Sequence, residues 1–163
     1  MDTNGLEVIA QIALGLAGFS GVMIALARPS GGFDPVESFR LRALIYASFG
    51  AMFLAIIPFA VFGGPWSEAT SWRVLGAVMA VYTGAGLLDL PRRAFRLRRV
   101  DPEQFPLPLV VIQFGTHVVT FLFALVVLFG LTEYRANAYV MALVLMLLHG
   151  AIAFVRVLMY RRS

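Results

Sequence analysis

The segment Leu107–Gly130, LPLVVIQFGTHVVTFLFALVVLFG, decides the fold class of this chain. It holds no acidic residue, lysine or arginine, and it exceeds the roughly 20 residues that a helix needs to cross a bilayer core of about 30 Å. Its polar side chains recur at i, i+3, i+4 and i+7, which is one stripe of a helix: Gln113, Thr116, His117 and Thr120. Because hydrocarbon solvates such groups poorly, the stripe is predicted to face other helices, a cavity or a ligand.

The composition of the whole chain agrees with a membrane protein. Of its 163 residues, 60% are hydrophobic and 13% are charged, and the mean hydropathy is +0.85. These values lie far from those of a soluble globular domain. The chain has no cysteine, which excludes disulfides, thiolate metal sites and cysteine nucleophiles.

Five apolar runs are long enough to cross a membrane, and they predict an all-α bundle of five transmembrane helices in one domain. The spans are expected at residues 6–27, 41–62, 72–90, 107–130 and 138–160. Asp34 and Pro35 resemble the start of a helix, with Asp34 as its cap. Pro91 is expected to end the third span, and residues 91–106 then form a basic cytoplasmic loop.

The distribution of arginine predicts the orientation of the spans. Eleven arginines fall on one side of the predicted membrane: Arg28, Arg40, Arg42, Arg92, Arg93, Arg96, Arg98, Arg99, Arg156, Arg161 and Arg162. Only Arg73 and Arg135 fall on the other side. Since basic residues concentrate in cytoplasmic segments, the N-terminus is expected outside and the C-terminus in the cytoplasm. The expected location is the cell membrane, specifically a bacterial inner membrane.

Two histidines are the main candidates for chemistry. His117 and His149 are predicted at similar depth, near mid-membrane, on consecutive antiparallel helices. Three interpretations remain open. In the first, the histidines are packing residues that form hydrogen bonds across helices. In the second, they belong to a proton or ion pathway, because imidazole titrates near neutrality. In the third, a remote alternative, they ligate a haem.

A route across the bilayer needs more polar groups than the fourth span supplies, because that span continues outward as Ala124, Val127 and Leu128. Glu7 and Gln11 share one face of the first span, in its outer third. Stacked above the stripe, they would leave a vertical gap of about 6 Å. This hypothesis requires the first and fourth spans to be neighbours, within one protomer or between protomers.

Charged residues near the inner face suggest two further contacts. Asp89 and Arg156 lie at the ends of two spans that run in the same direction, where an ion pair would lower the cost of burying both. In the alternative interpretation, the Arg156 side chain extends to the membrane interface with its neighbours. The arginines after the third span either serve only to set the topology or also contact anionic lipid headgroups: Arg92, Arg93, Arg96, Arg98 and Arg99.

No catalytic motif stands out: the chain has no HExxH, GxSxG or Walker loop, so an enzyme is not predicted. Neither a metal site nor nucleic-acid binding is predicted. The first functional hypothesis is a small oligomeric channel or transport protein that conducts ions or protons. The second is a non-catalytic accessory or assembly subunit of a larger membrane complex. Rows of small residues in the spans favour a homo-oligomer or a docked partner.

Overall fold

The computed structural model describes residues 3–26 and 34–159. These residues form five helices and no strand: α1 (Thr3–Leu26), α2 (Pro35–Phe62), α3 (Glu68–Val100), α4 (Leu107–Phe129) and α5 (Arg135–Met159). Each helix is long and apolar enough to cross a membrane. The predicted all-helical class and the number of candidate spans are therefore confirmed, and the fold is consistent with a multi-pass membrane protein. Arg28, Arg161 and Arg162 lie outside the described residues.

Local sequence explains where several helices begin and end. Asp34 caps α2 as predicted: its side chain accepts from the N–H groups of Val36 and Glu37, and Glu37 returns a bond to the Asp34 N–H. Pro35 occupies the first turn, where its missing N–H costs nothing. Gly130 ends α4 in the left-handed conformation, with φ of 66°, which glycine adopts without strain.

Helix α3 differs from the prediction, because it continues through Pro91 and ends only at Val100. The arginine-rich segment after the proline consists mainly of residues with good helix propensity, which compensates for the lost hydrogen bond. Ala94 and Leu97 also pack against an apolar cluster that contains the fully buried Phe105. The expected loop 91–106 is thus reduced to residues 101–106.

The helices α2, α3, α4 and α5 form an antiparallel four-helix bundle in which each packs on the next and α5 closes back on α2. Helix α1 packs outside this bundle, against α2 and α5. We call the end where α2 begins, α3 ends, α4 begins and α5 ends the basic end, since the arginines of α3 lie there. The other end is the distal end.

Small residues make the closest helix contacts, as their spacing predicts. The row Ala43, Ala47, Ala51 and Ala55 of α2 is buried. A Cβ added at Gly150 of α5 would lie 3.5 Å from the Cβ of Ala47. Gly76 of α3 lies directly against the backbone of Leu128 on α4. Such contacts stabilise helix pairs that cannot gain from hydrophobic burial in lipid.

Candidate functional site

The two histidines lie side by side in the bundle, on the facing sides of α4 and α5. Their ring centroids are 4.4 Å apart, with an interplanar angle of 71°. His117 is 7% exposed and His149 is 5% exposed. The Nδ1 atom of His149 is buried and has no hydrogen-bond partner among the described residues. Burial of a polar atom without a hydrogen-bond partner costs roughly 1–3 kcal/mol of folding free energy. The Nδ1 atom of His149 is therefore a candidate to bind a water molecule or a ligand.

The polar stripe of α4 faces the interior for most of its width. Gln113 and Thr120 are buried with His117, whereas Thr116 lies at the edge and is half-buried. The Thr116 hydroxyl donates to the Gln113 carbonyl oxygen at 2.9 Å, and the Thr120 hydroxyl donates to the Thr116 carbonyl oxygen at 2.8 Å. Both threonine hydroxyls are thus hydrogen-bonded within α4. The two imidazoles and the Gln113 amide are the remaining polar groups that could bind a ligand or a proton.

Two tyrosines that were not predicted as site residues extend this site across the bundle. Tyr46 of α2 stacks on His117 at 6.0 Å and on Tyr82 of α3 at 4.5 Å. The Tyr82 hydroxyl donates to the Tyr46 carbonyl oxygen at 2.6 Å, and the Tyr46 hydroxyl donates to the Tyr82 carbonyl oxygen. Each of the four bundle helices therefore contributes one ring to a continuous row: Tyr82, Tyr46, His117 and His149.

A small cavity extends from the two histidines of this row into the basic half of the bundle. Its volume is about 20 Å³, enough for about one water molecule. Gln113, His117 and His149 supply its polar wall. Apolar side chains nearer the basic end form the remainder: Phe39, Ala43, Leu90, Pro91, Ala94, Val110 and Phe114.

The distal half of the bundle is mainly apolar and closed, and the buried Tyr139 hydroxyl within it donates to the Leu54 carbonyl oxygen at 2.6 Å. Its core contains buried Leu75, Met79, Ala124, Val127 and Leu143. A larger cavity of about 670 Å³ opens beyond this layer, at the distal end, where Ala136 and Glu133 line it. Along α5, Ala136 and His149 lie about 20 Å apart by helical rise. The layer between the two cavities is therefore a thick apolar barrier within one protomer.

Glu7 and Gln11 do not lie near the histidines. Both are exposed on α1, which packs on α2 and α5. The buried side of α1 is instead apolar, with Leu6, Ile9 and Ala13. The route that combines these residues with the α4 stripe therefore finds no support within one protomer, and only its version between protomers remains.

Asp89 and Arg156, expected to pair, have different partners. Asp89 accepts from the Nε of Arg93 at 2.7 Å, in an ion pair between residues four positions apart on α3. Arg156 donates to the Gln104 carbonyl oxygen at 2.6 Å, and its guanidinium lies 5.2 Å from the centroid of the Phe105 ring. The reason is topological: α3 and α5 are diagonal in the bundle, separated by α2 and α4.

Three arginines from three helices hold the short connection between α3 and α4. Arg156 of α5 contacts it as described, and Arg40 of α2 donates to the Gln104 Oε1 at 3.3 Å. Arg98 of α3 donates to the Phe105 carbonyl oxygen at 2.8 Å. The connection therefore covers the basic end of the bundle as a fixed cap, with Phe105 inserted into the core.

The arginines predicted to contact lipid separate into three kinds. Arg98 is engaged in that cap. Arg93 and Arg96 line a groove between α2 and α3. Arg92 and Arg99 are exposed and line no cavity described above.

A haem does not fit between the histidines. The rings contact each other at 4.4 Å, and a porphyrin with two axial imidazoles would have to lie between them. The adjoining volume of about 20 Å³ holds one water molecule and no macrocycle. In the part of the chain that the structure describes, no three histidine, cysteine or carboxylate side chains come together as metal ligands.

Comparison with known proteins adds no further assignment: no protein-family model, curated protein or solved structure matches the chain.

Proposed function

We propose that this chain is a multi-pass membrane protein that binds and releases protons at the His117–His149 pair, as part of ion or proton transport. The observation that carries the proposal is the contact between two buried imidazoles beside a cavity directed to the basic end. Imidazole is the side chain that titrates near neutrality in water, and ionisable groups inside membrane helices commonly serve relay roles.

The size of the cavity favours a proton over a larger ion. About 20 Å³ admits one water molecule, whereas a metal cation would bring several coordinating waters. A water molecule there has polar neighbours in Gln113, His117 and His149. Protons would reach the cavity from the half of the bundle that the arginine distribution predicts to be cytoplasmic, and they would have to pass beside the connection that caps it.

Passage to the distal side requires a second element, because the apolar layer closes each protomer. We propose a homo-oligomer in which α1 of one protomer approaches α4 of the next. Gly15, Gly18 and Gly21 on α1 have no neighbouring atom within 4 Å of an added Cβ, so this surface can accept another helix closely. Glu7 and Gln11 are exposed on the same helix and would supply the distal polar groups.

The test uses purified protein in liposomes that contain a pH-sensitive dye. A proton gradient should collapse faster than in empty liposomes, and His117→Gln should reduce the rate at least tenfold. Thr83→Val is the matched control, because Thr83 is buried, bonds to its own helix and lines no part of the cavity. Equal flux in wild type and His117→Gln would refute the assignment.

A second measurement examines the site without transport. The chain has two histidines, so ¹⁵N NMR in nanodiscs should show two imidazole spin systems. Both should respond to pH, and removal of either imidazole should shift the titration of the other because the rings are in contact. Imidazoles that never exchange with solvent would contradict the proposal.

The apolar barrier of about 20 Å favours one alternative, a non-conducting accessory subunit of a larger membrane complex. In that case the purified chain should show no flux, and a partner should co-purify at fixed stoichiometry from mild detergent.

A further inference from the structure

A second site lies at the basic end, in the groove between the first turns of α2 and the last turns of α3. Its volume is about 250 Å³, several times the roughly 30 Å³ that one water molecule occupies. Arg42 projects from α2, and Arg93 and Arg96 project from α3. Pro35, Ser38, Phe39 and Leu97 complete the lining.

Among the described residues, the lining of this groove contains three arginines and no acidic side chain. Asp34 and Glu37 keep their negative charges in the cap of α2, but their oxygens accept from backbone N–H groups and neither side chain lines the groove. Asp89 accepts from Arg93 through a single guanidinium nitrogen, Nε. The guanidinium carries five N–H donors, so four of them remain for another acceptor.

The arrangement of donors matches a phosphate group. Guanidinium forks bind phosphate oxygens in pairs, and three of them from two helices surround one volume. The hydroxyl of Ser38 adds a neutral donor, while the side chains of Phe39 and Leu97 form an apolar part of the wall. An occupant with both a phosphate and an apolar portion would use all of these contacts.

We infer that this groove is a binding site for the phosphate headgroup of an anionic phospholipid, formed jointly by α2 and α3. Its position supports a lipid over a soluble phosphate, because the groove lies at the end of helices long and apolar enough to cross a membrane. Basic pockets between such helices are typical positions for anionic headgroups. The inference is independent of the histidine pair.

Two double variants test the inference, and they remove the same amount of charge. Arg42→Gln with Arg96→Gln removes two arginines that line the groove. Arg92→Gln with Arg99→Gln removes two arginines of α3 that do not line it. All four side chains are exposed, so neither variant creates a cavity in the core.

The measurement is native mass spectrometry of the protein titrated with phosphatidylglycerol in detergent. The groove variant should bind the lipid about 30-fold more weakly, which corresponds to about 1 kcal/mol for each arginine at a basic surface. The matched variant should bind within about threefold of wild type. Phosphatidylcholine should bind weakly to all three proteins.

Three results would overturn the inference. Equal losses in both double variants would indicate general electrostatic attraction. If the wild-type protein binds phosphatidylcholine as tightly as phosphatidylglycerol, the groove does not select lipids by net negative charge. Displacement of the lipid by millimolar inorganic phosphate would assign the groove to a soluble anion. Size-exclusion chromatography of each variant checks that the fold is retained.

Discussion

Tyr46 and Tyr82 show how one residue type links two membrane-length helices. Each hydroxyl donates to the backbone carbonyl of the other tyrosine, although that carbonyl already belongs to a helix. The residue four positions later is Gly50 in one case and Gly86 in the other, and an added Cβ at either would lie within 3.0 Å of the opposing ring. The glycine therefore leaves the carbonyl oxygen open to a second donor.

Replacement of Tyr46 by Phe should lower the free energy of unfolding by about 1 kcal/mol, since it removes one hydrogen bond and retains the stacked ring. Tyr134→Phe is the control, because Tyr134 is 72% exposed, and it should leave stability unchanged. Chemical denaturation in a defined detergent, followed by circular dichroism, measures the difference. Equal stability of the two variants would show that the Tyr46 hydroxyl contributes nothing.

At this scale the sequence predicted one half of the site. Gln113, His117 and Thr120 follow the helical period, and polar groups in an apolar span must find shelter, so their burial could be predicted. Tyr46 and Tyr82 were missed because a tyrosine in an apolar span resembles an ordinary packing residue. The available signal was the glycine four residues after each. The absence of a hydrogen-bond partner for the Nδ1 of His149 among the described residues could not be predicted from local sequence, because it depends on how three other helices pack around this side chain.

The pairing of α3 with α4 depends on the absence of a side chain at Gly76. An added Cβ there would lie within 3.0 Å of the Leu128 Cα, which is backbone and cannot rotate away. Gly115 of α4 has no atom within 4 Å of an added Cβ. Substitution of these two glycines by alanine therefore distinguishes the effect of helix packing from the effect of intrinsic helix propensity.

Gly76→Ala should destabilise the protein by about 1–3 kcal/mol because the helices must move apart. Gly115→Ala should be neutral or stabilise by up to about 1 kcal/mol, because alanine favours the helix. Thermal unfolding in nanodiscs compares the two. Similar melting temperatures for both variants would contradict the close contact between α3 and α4.

The prediction of elements succeeded where apolar length decides and failed where packing decides. The number of helices and the cap at Asp34 follow from local sequence. The extension of α3 beyond Pro91 does not, because it depends on the contact of Ala94 and Leu97 with the Phe105 cluster. The pairing of Asp89 with Arg156 failed for the related reason that sequence gives no order of helices around the bundle.

For the whole molecule, the two ends differ in charge and in access. Arginines surround the basic end, where three of them fix the connection between α3 and α4. The distal end carries a cavity of about 670 Å³ with Glu68 and Glu133 in its wall. Because the two ends differ, the orientation of the chain in a membrane can be tested by finding which end is accessible from each side.

Labelling of single cysteines should place the two ends on opposite sides of a membrane. The native chain has no cysteine, and Glu103 and Glu133 are exposed in the connections on either side of α4. A membrane-impermeant maleimide should label Glu133→Cys in intact cells and Glu103→Cys only after permeabilisation, as the arginine distribution requires. The reverse pattern would invert the orientation, and labelling of both in intact cells would refute a crossing by α4.

The reciprocal bonds between Tyr46 and Tyr82 also restrict how the molecule can move. A longitudinal slip of α2 against α3 by one residue, about 1.5 Å, would break both bonds together. The two helices of this hairpin are therefore expected to move as one rigid unit. Relative motion that preserves both bonds would occur between this hairpin and the hairpin of α4 and α5. The phenol–imidazole stack of Tyr46 on His117 lies between the two hairpins, so such a motion would also separate these rings.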